Sequence, residues 1–259
     1  MKTVLALAQV VIKELYRRKD FYVVFVLTIL IGVVMALAGL LKERETIVQD
    51  LKEVCLLLIW ISSLLMAVGM TARQMPAERD SRTIFPLLAK PVTRAQVVVG
   101  KFLGCWLAMG IALLVFYFCL GLVSASQEHQ WPVLLELQAL WLQWVFLAIV
   151  IALVLLGSLL ISAPSSNATL CLLLVVGVLL MGRYLGNIAL EYREPLRSTI
   201  YSLYFLLPHL DWMDVRQEVV KNQGLIDWAD FVLTTIYGGL YTAMFLFAAW
   251  LSFRRKALN

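Results

Sequence analysis

The stretch ALWLQWVFLAIVIALVLLGSLLIS, Ala139–Ser162, runs 24 residues without an Asp, Glu, Lys, Arg or His. About 20 apolar residues in a helix cover the ~30 Å hydrocarbon core of a bilayer. Five further runs have the same character: Phe21–Leu41, Val54–Ala72, Phe102–Val123, Ala168–Leu190 and Phe231–Phe253. Among all six, only Ala168–Leu190 carries one of those five residue types, Arg183, close enough to one face to snorkel. With 62% hydrophobic and 15% charged residues, the composition lies outside that of ordinary soluble domains. The expected fold is all-α, a polytopic membrane protein of six transmembrane helices. No linker and no internal repeat divides residues 1–259, so one transmembrane domain is expected.

Loop charges orient the spans. With the N-terminus inside, the cytoplasmic segments hold fourteen Lys and Arg and the external side eight, counting Arg183 as external. Basic residues near span ends are retained on the cytoplasmic side, which places both termini in the cytoplasm. The net charge of +5 then reflects topology, not nucleic-acid binding. Residues 1–20 read as a helix in the inner membrane interface: Val4, Leu7, Ala8, Val11 and Leu15 share one face, with Lys2, Gln9, Lys13 and Arg17 largely elsewhere. Seven of the eight tryptophans fall in loops or towards span ends, and Trp60 is expected to pack between helices. The four cysteines lie inside spans with no CxxC spacing, the pattern of small buried hydrophobes.

The basic segment RQMPAERDSRTIFPLLAKPVTRAQVVVGK, residues 73–101, holds six Lys/Arg against Glu78 and Asp80. It also carries Ile84, Leu87 and Leu88 at helical spacing, an apolar face that a solvated loop does not need. Such a face on the cytoplasmic side reads as a docking surface for a soluble partner. Pro86 suits the first turn of a short helix, and Pro91 ends it. Thr93-Arg94-Ala95-Gln96 is a capping box, so a new helix is expected to start there and continue into the third span. Along it Gly100, Gly104 and Ala108 present a small-residue face for close packing.

The external segment 191–230 is the longest connection and contains STIYSLYFLLPHLDWMDVRQEVV, residues 198–220. Its apolar run is too short to span. One reading is a helix or two resting in the outer interface; the other is a re-entrant gate or a landing site for a periplasmic partner. The candidates for that second role are Leu207, Pro208, His209, Asp211, Trp212 and Asp214.

Catalytic and metal chemistry find little support. His129 and His209 lie in external loops without partners at ligand spacing and read as solvated. No HExxH or GxSxG is present, and no acidic pair lies in a span. Met66, Met70 and Met75 read as gap-filling core residues in preference to a copper path. No cofactor and no metal site is expected, and an intramembrane enzyme is the weakest reading. Spans without carboxylates or broken helices argue against ion-coupled transport. A phosphate-binding loop is missing as well: Gly100-Lys101 is followed by Phe102. Any energy must come from another chain. Asn167-Ala-Thr169 matches a glycosylation sequon but falls on the cytoplasmic side.

Glu78-Arg79…Thr83-Ile84…Leu87-Leu88…Lys90-Pro91-Val92-Thr93-Arg94…Gly100-Lys101 resembles the cytoplasmic loop of type-two ATP-binding-cassette (ABC) exporter permeases. More narrowly, the chain is similar to the branch associated with multicopper-enzyme maturation and nitrous-oxide reductase assembly, over nearly its whole length. That includes the N-terminal helix, the spans, LLPHLDWMD and the FRRKAL ending. Two departures touch the shape of the coupling element: Arg82 where glycine is common, and Pro86 within the helix. The resemblance implies a non-catalytic permease subunit in a bacterial inner membrane. It implies pairing with a second permease copy or a paralogue, and two separately encoded ATPase subunits that bind the ATP. Thr83 to Arg94 would then be the coupling surface, with Ile84, Phe85, Leu87 and Leu88 as its apolar contact and Arg79, Lys90 and Arg94 as its charged rim. The alternative is a mechanotransmission subunit that passes ATP-driven motion to a periplasmic protein through residues 191–230, with nothing crossing the membrane.

Overall fold

The computed structural model describes residues 2–17, 45–76, 93–128, 133–191, 208–221 and 224–255, together with residues 26, 30, 33, 196–198 and 202. The regular elements, in chain order, are α1 (Lys2–Arg17), α2 (Glu45–Ala72), α3 (Arg94–Glu128), α4 (Val133–Leu160), α5 (Pro164–Glu191), a 3-10 turn (Leu210–Met213), α6 (Arg216–Lys221) and α7 (Trp228–Arg255). No strand occurs among the described residues. Five helices, α2, α3, α4, α5 and α7, are long and apolar enough to cross a membrane. The remaining expected span, Phe21–Leu41, the first in the chain, lies outside the described residues apart from Val26, Leu30 and Val33, which are helical and exposed.

α4 is the axle of the bundle. It is the most apolar and most enclosed of the five, and α2, α3, α5 and α7 all pack against it. Its core face runs from Leu135 through Phe146, Val150 and Val154 to Leu159. By contrast, α5 and α7 bury few of their described side chains, and Leu173, Leu180, Leu233, Leu240 and Phe247 are exposed. Apolar exposure of that extent is what a hydrocarbon solvent or a partner helix accepts.

Glycine sets the closest crossings. Where α4 meets α5, a Cβ on Gly157 would lie well inside contact distance of Asn167 Oδ1. Asn167 is fully buried: its Nδ2 donates to Val154 O at 3.1 Å, and its Oδ1 accepts from Cys171 Sγ at 3.3 Å. The sequon asparagine is therefore a packing element inside the bundle. At the α3–α4 crossing the two indoles of Trp106 and Trp144 stack with centroids 4.3 Å apart. Trp106 Nε1 donates to Trp144 O at 3.0 Å, and Trp144 Nε1 donates to Trp106 O at 2.9 Å. Gly110 makes room, since a Cβ there would be 2.7 Å from Trp144 Cε2. Both tryptophans thus sit well inside their helices, not at the span ends expected for them. Their N–H groups are satisfied by a reciprocal pair of bonds in place of an aqueous interface. Trp60 packs between elements as expected, stacked on Phe146 at 5.2 Å.

α1 is a helix over the residues that the periodicity picks out. Ala8 and Val11 are buried, and Leu5, Val10 and Lys13 are exposed. Its apolar face seats on the small residues of α3: a Cβ on Gly100 would lie 2.7 Å from Leu7 Cβ, and one on Gly104 2.6 Å from Val11 Cβ. Helix backbones come this close only where small side chains permit it.

Candidate functional site

Two clusters of polar and charged groups among the described residues lie at the two ends of the bundle. At the end carrying Pro76, Thr93 and Arg255, the basic loop begins and ends. α3 starts as the capping box requires: Gln96 N–H donates to Thr93 Oγ1 at 3.3 Å, and Thr93 N–H donates to Gln96 Oε1 at 3.0 Å. Two orphan donors of the first helical turn are satisfied reciprocally. Lys101 is buried one turn further on, and its Nζ donates to Gln74 O at 3.0 Å. A cation against a carbonyl just past the end of α2 satisfies an orphan acceptor and complements the helix dipole. Met75, Val97, Val98, Leu159, Ala249 and Phe253 form a second small core beside it. The two feet of the loop are thereby pinned to each other.

Of the expected coupling residues, Arg94 is described. Glu78, Arg79, Thr83, Ile84, Phe85, Leu87, Leu88, Lys90 and Pro91 lie outside the described residues. Arg94 Nη1 donates to Phe253 O at 2.7 Å and to Arg254 O at 3.0 Å, and its guanidinium sits 5.4 Å over the Phe253 ring. This group caps the C-terminus of α7, where the last carbonyls and the negative end of the dipole favour a cation.

At the opposite end residues 208–221 fold back as a cap. Leu210, Met213, Val219 and Val220 join the main core, so the 3-10 turn and α6 are packed into the bundle. Asp214 and Arg216 form a two-pronged pair, Nε to Oδ1 at 2.6 Å and Nη2 to Oδ2 at 2.8 Å. Those bonds raise the Arg216 pKa above its ordinary value, against the opposing effect of burial. The same guanidinium lies 5.1 Å over the Trp60 ring, which ties α6 to α2. A cavity of about 270 Å³ beside the pair is lined by Glu53, Leu57, Asp214, Arg216, Gln217 and Glu218.

His209 does not behave as a solvated loop residue. It is 4% exposed; its backbone N–H donates to Tyr237 Oη at 2.9 Å, and its ring meets Trp212 edge-on at 4.9 Å. An aromatic ring beside α7 gains more from packing than from water. Of the external candidates, His209 and Trp212 converge on Tyr237, and Asp214 pairs with Arg216. Pro208 and Asp211 flank them in the same turn, and Leu207 lies outside the described residues. Trp212 is half exposed. Further inside, Tyr117 Oη donates to Gln143 Oε1 at 2.8 Å, and Gln143 Nε2 donates to Ser63 Oγ at 2.9 Å. This chain of bonds joins α3, α4 and α2. Single letters in apolar runs gave no sign of Tyr237 and Gln143, since their partners are remote in sequence.

No group of three or more His, Cys, Asp or Glu is placed to hold a metal ion among the described residues. A second cavity, of about 490 Å³, opens between α3, α4 and α7 with an almost wholly apolar lining that includes Leu114, Leu137, Trp144 and Phe231. A family model described as ABC-2 family transporter protein matches residues 8–258. No curated protein matches the chain.

Proposed function

The chain belongs to the ABC-2 family of transporter proteins, and on that premise we propose that it is the permease subunit of an ATP-driven exporter of a bacterial inner membrane. Membership makes it the membrane component of an ABC transporter, whose general partner is an ABC ATPase. In the proposed complex two ATPase subunits bind from the cytoplasm, and a second permease copy or a paralogue completes the pathway. The ATPase docks on the loop of residues 77–92. Ile84, Phe85, Leu87 and Leu88 form its apolar contact, Glu78, Arg79, Thr83, Lys90 and Pro91 surround it, and Arg94 lies behind it.

The observation that carries this reading is the pinned base of that loop. Lys101 on Gln74, and Met75 against Val97 and Val98, hold its two ends together at one end of the bundle. A push on such a loop is delivered to α2 and α3 instead of being lost in slack chain. The second reading, mechanotransmission without translocation, draws support from the cap, because Leu210, Met213, Val219 and Val220 join it firmly to the same core.

The test is Leu87→Asp with Leu88→Asp. Burying a leucine on a partner contributes roughly 1.5–3 kcal/mol, and about 1.4 kcal/mol is tenfold in affinity. The double variant is expected to insert and fold but to lose co-purification of the ATPase. Leu65→Ala, at an exposed position of α2, is the control and keeps it. A well-expressed double variant that retains its ATPase moves the docking surface elsewhere.

A further inference from the structure

We propose that Arg94 and α7 form a tie-rod carrying movement of the inner loop to the outer cap, an inference that rests on the permease reading above. Arg94 follows the loop directly, and its fork grips Phe253 O and Arg254 O at the far end of the chain's last helix. Phe253 is 1% exposed and packed in one small core with Met75, Val97 and Leu159, so the grip is on the buried side of α7. From there α7 runs unbroken to its outer half. At 1.5 Å per residue, Phe253 and Tyr237 are about 24 Å apart along the axis, most of a hydrocarbon core.

At that outer half α7 engages the cap twice. Tyr237 Oη accepts the His209 N–H, and a Cβ on Gly238 would come within 2.7 Å of Met213 Cε. The helix is thus attached at one end to the residue that ends the loop and at the other to the segment carrying Trp212 and Asp214. α2 also joins the loop to the cap, through Trp60 and Arg216. It is enclosed by α3, α4 and α5, however, whereas α7 buries only Gly238, Thr242, Ala249 and Phe253. A helix held along one narrow face shifts along its axis at lower cost than one packed on several sides. Arg94 is a positioning residue in this scheme: it transmits a displacement and touches no nucleotide.

The experiment places an environment-sensitive fluorophore at the exposed Gln217, as Gln217→Cys in a Cys119→Ser background, in the complex with its ATPase in lipid nanodiscs. Addition of magnesium-ATP is expected to shift its emission. Tyr237→Phe is expected to retain the hydrolysing ATPase while cutting that shift by at least about threefold, the equivalent of one interhelical hydrogen bond, and Arg94→Ala is expected to cut the shift per bound ATPase to the same extent. Thr235→Val, which removes the Trp141 bond from the same end of α7, should keep the full shift. If Arg94→Ala fails to insert, Arg94→Lys, which keeps the charge and loses the fork, decides together with Tyr237→Phe. A full response in the tie variants overturns the proposal, as does an equal loss in Thr235→Val. A silent probe on a parent complex that hydrolyses ATP also overturns it and leaves the permease reading standing. A parent that captures no ATPase overturns the permease reading, and the tie-rod with it.

Discussion

Gly157 lies where α4 meets α5, and its missing side chain leaves space for the Asn167 amide that bonds Val154 O. Gly157→Ala forces a methyl group against that amide. Overpacking of this kind costs about 1–3 kcal/mol, so the midpoint of thermal unfolding in detergent is expected to fall. In an Asn167→Ala background the same change should cost less, with a coupling above ~0.5 kcal/mol because the two residues share one space. Independent, additive losses would show that the crossing tolerates the methyl group by shifting. Neither residue announces this in the sequence. Asn167 sits in a short polar turn between spans, and only the fold brings Gly157 to it. Lys101 is a similar case: a lysine at the inner edge of a span counts equally as a solvated loop charge or as a buried cap on a neighbouring helix. The distinction depends on Gln74, 27 residues earlier.

Among the elements, the start of α3 was the most legible and the cap the least. A capping box is a local signal, since both partners lie within one turn, and Thr93 and Gln96 make both bonds that the spacing implies. The small-residue face of Gly100 and Gly104 was legible too, but not the helix that occupies it. The charged stretch KERETIVQDLKE, residues 42–53, falls between two of the expected spans, yet α2 begins at Glu45. That stretch contains no helix breaker, and acidic residues in a first turn favour the helix. The cap depends on contacts with remote residues, such as Gln138 bonding both Ile226 N–H and Ile226 O across 88 positions. Its charged anchor can be tested directly. Arg216→Met removes two charge-assisted bonds to Asp214 and the contact over Trp60. A part-buried group of this kind contributes roughly 1.4 kcal/mol, about tenfold. Amide hydrogen exchange at Val219 and Val220 is therefore expected to speed up about tenfold while that of α4 stays slow. Unchanged exchange in the cap would assign its stability to Leu210, Met213 and Val219 alone.

Over the whole molecule, charge and geometry make one joint prediction. The segments assigned to the inside by their basic residues come together at one end: Arg94 meets Phe253, and Lys101 meets Gln74. The segments assigned to the outside come together at the other: Gln138 meets Ile226, and His209 meets Tyr237. Cysteines placed at Gln127 and Lys221 should therefore react with an impermeant thiol reagent in intact spheroplasts, and one at Ser165 should not. Labelling at Ser165 with protection at the other two would invert the molecule and carry the docking loop to the wrong side. The reciprocal tryptophan pair at the centre of the bundle limits any transport cycle that this molecule performs. Each indole of Trp106 and Trp144 is hydrogen-bonded to the backbone of the other's helix. Sliding α3 along α4 breaks both bonds together in a place where water is not at hand to replace them. In kinematic terms the two helices are a single link without a joint. The degrees of freedom left to the machine lie at its periphery, and the stacked indoles are a native optical gauge whose coupled signal should stay constant throughout turnover.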